Sequence, residues 1–241
     1  MQMLLSSLFA TSLSLSPSSM LNQWRSDRIG AFGRAFDASR YHIQVLFVDD
    51  DGVRARVCEA MLERVAEWAD AGWWIYPNSA SIGTVKDGDA PPPSLQRTLS
   101  FELAANRLNA PAAVLQESDV SGGYDVIVCT DLAVLEQVRA LTRESGGDDA
   151  VVLSVCDFLA TGSDRLDALD EELRGLVAPE YGRLTSLYEL PDALPSGDLA
   201  EWRHLLAASA LCCASITCYM KGAFDEYVIY PDLTLISPDL L

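Results

Sequence analysis

Histidine and lysine are almost missing from this chain, and its cysteines lack the spacing of a metal or redox motif. The only histidines are His42 and His204, far apart in sequence, so histidine metal centres and histidine-based triads have little support. The only lysines are Lys86 and Lys221. Cysteines stand at 58, 129, 156, 212, 213 and 218 with no C-x2-C pair; a reducing compartment is the simplest reading. Positive charge is scarce: 17 Lys+Arg against 35 Asp+Glu give a net charge of -18. Nucleic acid and anionic membrane surfaces each need a basic face, so neither is an expected partner. A protein partner is compatible with an acidic surface. There is no internal repeat.

What is present suffices for one core of ordinary size: 241 residues, 49% of them hydrophobic. The first twenty residues hold seven serines and no charged side chain, and Arg25, Arg28 and Arg34 follow. That pattern fits an organellar targeting segment over residues 1–40, with a plastid as the first destination and the cytoplasm otherwise. The segment is too short and too rich in serine for a membrane span. Beyond it, strands are expected at Val45–Val48, Trp73–Tyr76, Tyr124–Cys129 and Ala150–Val155. Helices are expected at 57–68 (ended by Gly72), Ser100–Leu108, Leu132–Arg143, Arg165–Leu176 and Asp198–Tyr219. A loop is expected over 83–94, and a last strand at Tyr227–Tyr230. Alternation of strands and helices predicts an α/β fold, a three-layer sandwich with a four-stranded parallel sheet and helices on both faces. Residues 41–220 would form the domain, with an insertion over 161–189 and an extension over 221–241.

In open α/β sheets ligands bind beyond the carboxyl ends of the strands. The loop after the first strand, Asp49-Asp50-Asp51-Gly52, is therefore the place to look for chemistry. Asp49 to Val53 resembles the D-x-D-G-[TV] motif of the haloacid dehalogenase-like phosphatases. That resemblance implies an aspartate nucleophile (Asp49 or Asp50), magnesium, Thr130 as the downstream hydroxyl and Asp148-Asp149 as the acidic pair. Neither lysine falls between the last two, where that family carries one. Phe47 to Asp51 also resembles the first strand of response-regulator receivers. The acceptor aspartate expected there has no match at the proper distance, and Asp131 lies too far along.

A third resemblance runs collinearly from about residue 43 to 219. The apolar strand, the loop Asp50-Asp51-Gly52-Val53-Arg54-Ala55-Arg56 and the helix carrying Ala60 resemble the opening of the low-molecular-weight protein tyrosine phosphatases. Asn78-Ser79-Ala80 follows, then the Gly/Pro-rich stretch 88–93. Tyr124 to Asp131 is similar to the F-D-x-I-x-x-M-D strand. Val151 to Leu159, Leu190-Pro191-Asp192 and the closing helix complete the order. The resemblance implies Asp50 (or Asp49) where the family has its nucleophilic cysteine, Arg56 as the arginine of C-x5-R, Asp192 as the general acid, and Gly52, Arg54 and Arg56 as phosphate binders. It implies no metal and no cofactor. Cys58 and Arg64 satisfy C-x5-R in letters, but the residues between them read as helix, whose N–H groups are bonded internally.

The family's reaction needs a thiolate, which a helix N-terminus and inward N–H groups stabilise. A carboxylate in that position is a poor substitute and repels a phosphate dianion. The expectation is a catalytically inactive phosphatase-like domain, a binding or structural subunit of an organellar complex. The alternative is an active phosphatase, either of the tyrosine phosphatase type or using magnesium and an aspartate nucleophile. For Asp131, a helix N-cap is preferred to catalysis.

Overall fold

A computed structural model describes residues 43–83, 108, 113–146, 151–159, 163–192 and 198–224. The expected targeting segment, residues 84–94 of the expected loop, the helix expected from Ser100 (Leu108 excepted) and the strand expected at Tyr227–Tyr230 lie outside the described residues.

The central strand is β1 (Ile43–Asp49). Its side chains alternate between two faces, as a pleated strand requires. Val45 and Phe47 enter one core while Leu46 and Val48 enter another. Both faces are therefore apolar, the signature of a parallel strand covered twice. β2 (Ile75–Ser81), β3 (Ala113–Val114), β4 (Val126–Cys129) and β5 (Val151–Ser154) complete a sheet of order β3-β2-β1-β4-β5. Every pairing is parallel. The sheet thus has five strands where the sequence predicts four. β3 is two exposed residues long, too short to leave a periodic pattern.

α1 (Val53–Trp68) and α6 (Leu199–Phe224) cover the Phe47 face. α2 (Leu132–Glu144) covers the other through Val134, Leu135 and Val138. α1 ends at Trp68 because Asp70 takes a left-handed conformation (φ 56). The stop thus comes before Gly72, whose own role is different: a Cβ there would lie 2.8 Å from Glu67 Cγ. Trp73 and Trp74 then fill the turn, so β2 starts two residues later than predicted and runs on through Asn78 and Ser79. Those polar residues are tolerated within the strand because Ser79 Oγ donates to Glu59 on α1 at 2.5 Å and Asn78 Nδ2 to Gln44 at 3.3 Å.

After β5 a short helix α3 (Val155–Leu159) begins at once. The helix predicted over Arg165–Leu176 is divided. A 3-10 turn (Ser163–Ala168) precedes α4 (Glu171–Val177), and the break falls at Asp170, whose carboxylate caps α4 by accepting from Leu173 N at 2.9 Å. A further 3-10 turn (Ala178–Glu180) and α5 (Tyr181–Leu184) follow. This helical insertion is fastened to the domain by polar contacts. Arg64 on α1 forms ion pairs with Asp170 at 2.8 Å and Glu172 at 2.7 Å, and His204 Nδ1 on α6 is hydrogen-bonded to the Glu180 carboxylate at 2.6 Å.

α6 continues to Phe224, so the first residues of the expected C-terminal extension prolong the helix. Leu199–Gly222 is long and apolar enough, by length and composition, to cross a membrane, but 78% of its 18-residue apolar window is buried in the domain. Trp202, fully buried on this helix, anchors it to the core. Trp202→Ala should destabilise the fold by about 3–5 kcal/mol, read as a lower urea midpoint with an unchanged slope.

Candidate functional site: an aspartate loop closed on itself

β1 delivers Asp49 to the carboxyl edge of the sheet, and α1 starts four residues later. The turn between them depends on Gly52, which sits in the left-handed region at φ 85, where a Cβ would be strained. The loop is also tied to β2: Ile82 N donates to the Asp49 carbonyl and Gly83 N to the Asp50 carbonyl, each at 2.9 Å. A Cβ at Gly83 would come within 2.8 Å of that second carbonyl oxygen, so glycine permits the close approach.

Asp49 is fully buried and its carboxylate is surrounded by donors. Oδ1 accepts from Asp50 N (2.9 Å), Arg54 Nε (3.0 Å), Arg54 Nη2 (2.7 Å) and Thr130 Oγ1 (2.8 Å). Oδ2 accepts from Arg54 N at 2.8 Å. Burial alone would raise the Asp49 carboxyl, but the Arg54 charge and these hydrogen bonds outweigh it and hold the group below the usual carboxylate value. Asp50, largely exposed, is raised by partial desolvation and by the neighbouring acids Asp49 and Asp51.

Arg54 is the cation at the centre. Besides Asp49, its Nη2 meets Asp131 at 2.7 Å and Asp50 at 3.4 Å. Its Nη1 donates to the Leu190 carbonyl at 3.2 Å and meets Asp192 at 3.4 Å. Burial works against the guanidinium charge, but the facing carboxylates overcome it and keep the group protonated. Asp131 carries two loads: Oδ1 caps α2 by accepting from Val134 N at 2.8 Å, while Oδ2 holds Arg54. The N-cap expected from sequence is present, together with an ion pair that the sequence did not disclose. The segment ending in Asp192 is held over the site by Leu190 N, which donates to the Thr130 carbonyl at 3.0 Å.

The other arginine goes elsewhere. Arg56 is buried; its Nε donates to the Gly52 carbonyl at 3.2 Å and its Nη1 to the Leu108 carbonyl at 3.3 Å. Two residues along a helix are about 200° apart, so Arg54 and Arg56 cannot both enter the loop. Counting C-x5-R from Asp50 selects Arg56. The backbone instead places Asp49 at the end of the strand and turns Arg54 back onto it. Of the site residues expected from sequence, the structure gathers Asp49, Asp50, Arg54 and Asp192, with Gly52 as the hinge, and leaves Arg56 bracing the loop backbone. Thr130 and Asp131 join the site. Their position after an apolar strand was the available signal.

The loop N–H groups matter most. In an anion-binding loop they point at the ligand. Here Asp50 N and Arg54 N donate to Asp49, Asp51 N to Asp50 (2.9 Å) and Val53 N to Asp51 (3.0 Å). The three aspartates thus take up four N–H donors of their own loop, those of residues 50, 51, 53 and 54.

Carboxylate oxygens of Asp49, Asp50 and Asp51 lie within 4.8 Å of one another, a separation open to a cation. Asp49 Oδ1 already accepts four hydrogen bonds, two of them from a guanidinium, so a dication on that oxygen would have to displace Arg54, whereas Oδ2 accepts a single bond from Arg54 N.

Comparison of the backbone with solved structures identifies what kind of sheet carries this loop. A low-molecular-weight protein tyrosine phosphatase from T. tengcongensis superposes with a TM-score of 0.50, at 12% identity, over 72% of this chain and 97% of its own. The chain has the fold of the low-molecular-weight protein tyrosine phosphatases. A protein tyrosine phosphatase from Entamoeba histolytica gives a TM-score of 0.52 at 12% identity, covering 75% of this chain and 97% of its own. YfkJ from Bacillus subtilis gives 0.50 at 18% identity, covering 75% and 96%. No protein-family model and no curated protein matches the sequence. The low-molecular-weight phosphatase fold is thus common to these chains.

Asp49→Asn should leave the Arg54 guanidinium buried against a weaker partner and cost about 3 kcal/mol at neutral pH. A carboxylate held below its unfolded value stabilises the fold above that value, and the contribution is lost as pH falls through the folded one. Urea midpoints of the wild type should therefore drop as pH falls below 3.8, the ordinary aspartate value. The raised, largely exposed Asp50 opposes this only weakly. The same acid limb should be much flatter in Asp49→Asn.

Proposed function

We propose that this chain is a phosphatase fold without phosphatase chemistry, serving as a binding or structural subunit of a protein complex, in an organelle and first of all a plastid. The observation that carries this reading is the self-closure of the loop. Four of its N–H groups and Arg54, elements that would grip a phosphate, are bonded to the chain's own aspartates.

Three further points support it. The residue that ends β1 is a carboxylate with no polarisable sulfur, so the strong nucleophile of cysteine chemistry is absent from that position. Asp49, Asp50, Asp131 and Asp192 surround a single guanidinium, which leaves the mouth of the site negative. At an effective dielectric near 20, each excess carboxylate about 4 Å from a phosphate charge adds roughly 4 kcal/mol of repulsion before solvent screening. Finally, Asp192 stands 3.4 Å from Arg54 Nη1, so the matching aspartate faces the chain's own guanidinium. The acidic surface, with its net charge of -18, suits a partner whose contacting face is basic.

A small aryl phosphate such as p-nitrophenyl phosphate should not be turned over above the buffer blank, with or without magnesium. Metal-independent turnover blocked by vanadate would overturn the proposal in favour of tyrosine phosphatase chemistry. Magnesium-dependent turnover that disappears in Asp49→Asn would overturn it in favour of an aspartate nucleophile. Size-exclusion of a native extract should place the chain in a complex well above its own 26.2 kDa.

A further inference from the structure

The far end of α1 carries an aromatic that the sequence pattern marks for burial and the domain leaves outside. At about 100° per residue, Trp68 falls within the arc set by Val57, Met61 and Val65. Those three are fully buried, yet Trp68 is 61% exposed. α1 starts beside the aspartate loop, so Trp68, its last residue, lies roughly 22 Å further along the helix axis, toward the amino edge of the sheet. The turn that follows is closed by hydrogen bonds from Asp70 N to the Glu67 carbonyl (3.1 Å) and from Ala71 N to the Ala66 carbonyl (2.7 Å). Trp73, half-buried, lies in the same turn. Glu67 and Asp70, on either side of Trp68 in sequence, are both exposed, and the Gly72 backbone packs against the Glu67 side chain. Two cations border this surface and both are engaged within the domain. Arg64, one turn earlier, is held by Asp170 and Glu172, and Lys221 donates to the Ala69 carbonyl. The exposed ring is thus rimmed by carboxylates.

Resting on the reading of the chain as a binding subunit, we propose that Trp68 and its acidic rim are the surface on which the protein partner docks. The partner offers an apolar recess for the indole, with lysine or arginine beside it. Tryptophan is prominent among the residues that dominate binding, since its ring buries a large area with only two side-chain torsions to fix. Charge selects among the candidate occupants. Residues 225–241 follow α6 in sequence, but they hold the acids Asp225, Glu226, Asp232 and Asp239 and no Lys or Arg. A second copy of the chain brings a net charge of -18. Either would set acid against acid, whereas a basic rim gains from each carboxylate around the ring. The surface and the aspartate loop lie at opposite ends of α1, so docking here leaves the Arg54 network untouched.

The test uses the full-length chain with Trp68 replaced by p-benzoylphenylalanine, irradiated in a native extract, and the attached peptide is sequenced. The expected product is a peptide of another protein in which Lys and Arg outnumber Asp and Glu. With that protein purified, Trp68→Ser should bind it about thirty-fold more weakly than the wild type does. Glu67→Lys should also bind more weakly, and with a smaller dependence on salt. Tyr188→Ser, which changes an exposed aromatic elsewhere, should bind like the wild type. Trp68→Ser should keep the wild-type urea midpoint, which separates lost docking from lost folding; if it does not, Glu67→Lys carries the comparison. Attachment to the chain's own residues 222–241, to a second copy or to an acidic peptide, no attachment at all, or full affinity in Trp68→Ser would each overturn the proposal. A wild-type chain that elutes from the extract as a monomer overturns the binding-subunit reading with it, whereas a complex left intact by Trp68→Ser overturns the docking surface alone.

Discussion

The arrangement at the carboxyl edge of the sheet depends on one buried ion pair, Asp49 with Arg54. It joins the end of β1 to the first turn of α1, and Arg54 extends the connection to Asp131 at the start of α2 and to Leu190 and Asp192 beyond the insertion. A buried pair of this kind is costly to desolvate and is stable only when its remaining donors and acceptors are satisfied. Here Thr130, two backbone N–H groups and a backbone carbonyl supply what is missing. Three segments distant in sequence, residues 49–54, 130–131 and 190–192, thus meet at one guanidinium.

That interaction also explains why a familiar fold carries an unfamiliar site. The low-molecular-weight phosphatase sheet brings a strand, a tight turn and a helix N-terminus together, and such a turn stabilises negative charge at its centre. In this chain the negative charge is part of the protein. A carboxylate borne on the strand itself meets the electrostatic demand of the loop, so the fold tolerates the absence of an external anion.

Much of the fold was readable from residues because its pattern is local. The alternation of Val45, Leu46, Phe47 and Val48 predicts a strand buried on both faces, and the collinear order of motifs predicts the sheet. Asp131 before Leu132 reads as an N-cap and is one. Other features were hidden for definite reasons. β3 is two residues long and has no period to detect. Asp170 divides a stretch whose apolar spacing looks continuous, because a side chain that can cap α4 competes with continuing the preceding turn. The choice of Arg54 over Arg56 depends on where the helix begins after Gly52, and a shift of two residues in that start would bring Arg56 to the place Arg54 now holds. Motif counting assumes a loop length; here the backbone sets another.

The sharing of loop donors among three consecutive aspartates makes the loop unequal in its tolerance of substitution. Removing Asp51 returns one N–H, removing Asp50 another, and neither opens the centre, where Asp49 and Arg54 remain joined. Removing Asp49 takes from Arg54 its fully buried partner and costs stability. Folding therefore ties down the first acid of the run and tolerates change in the next two.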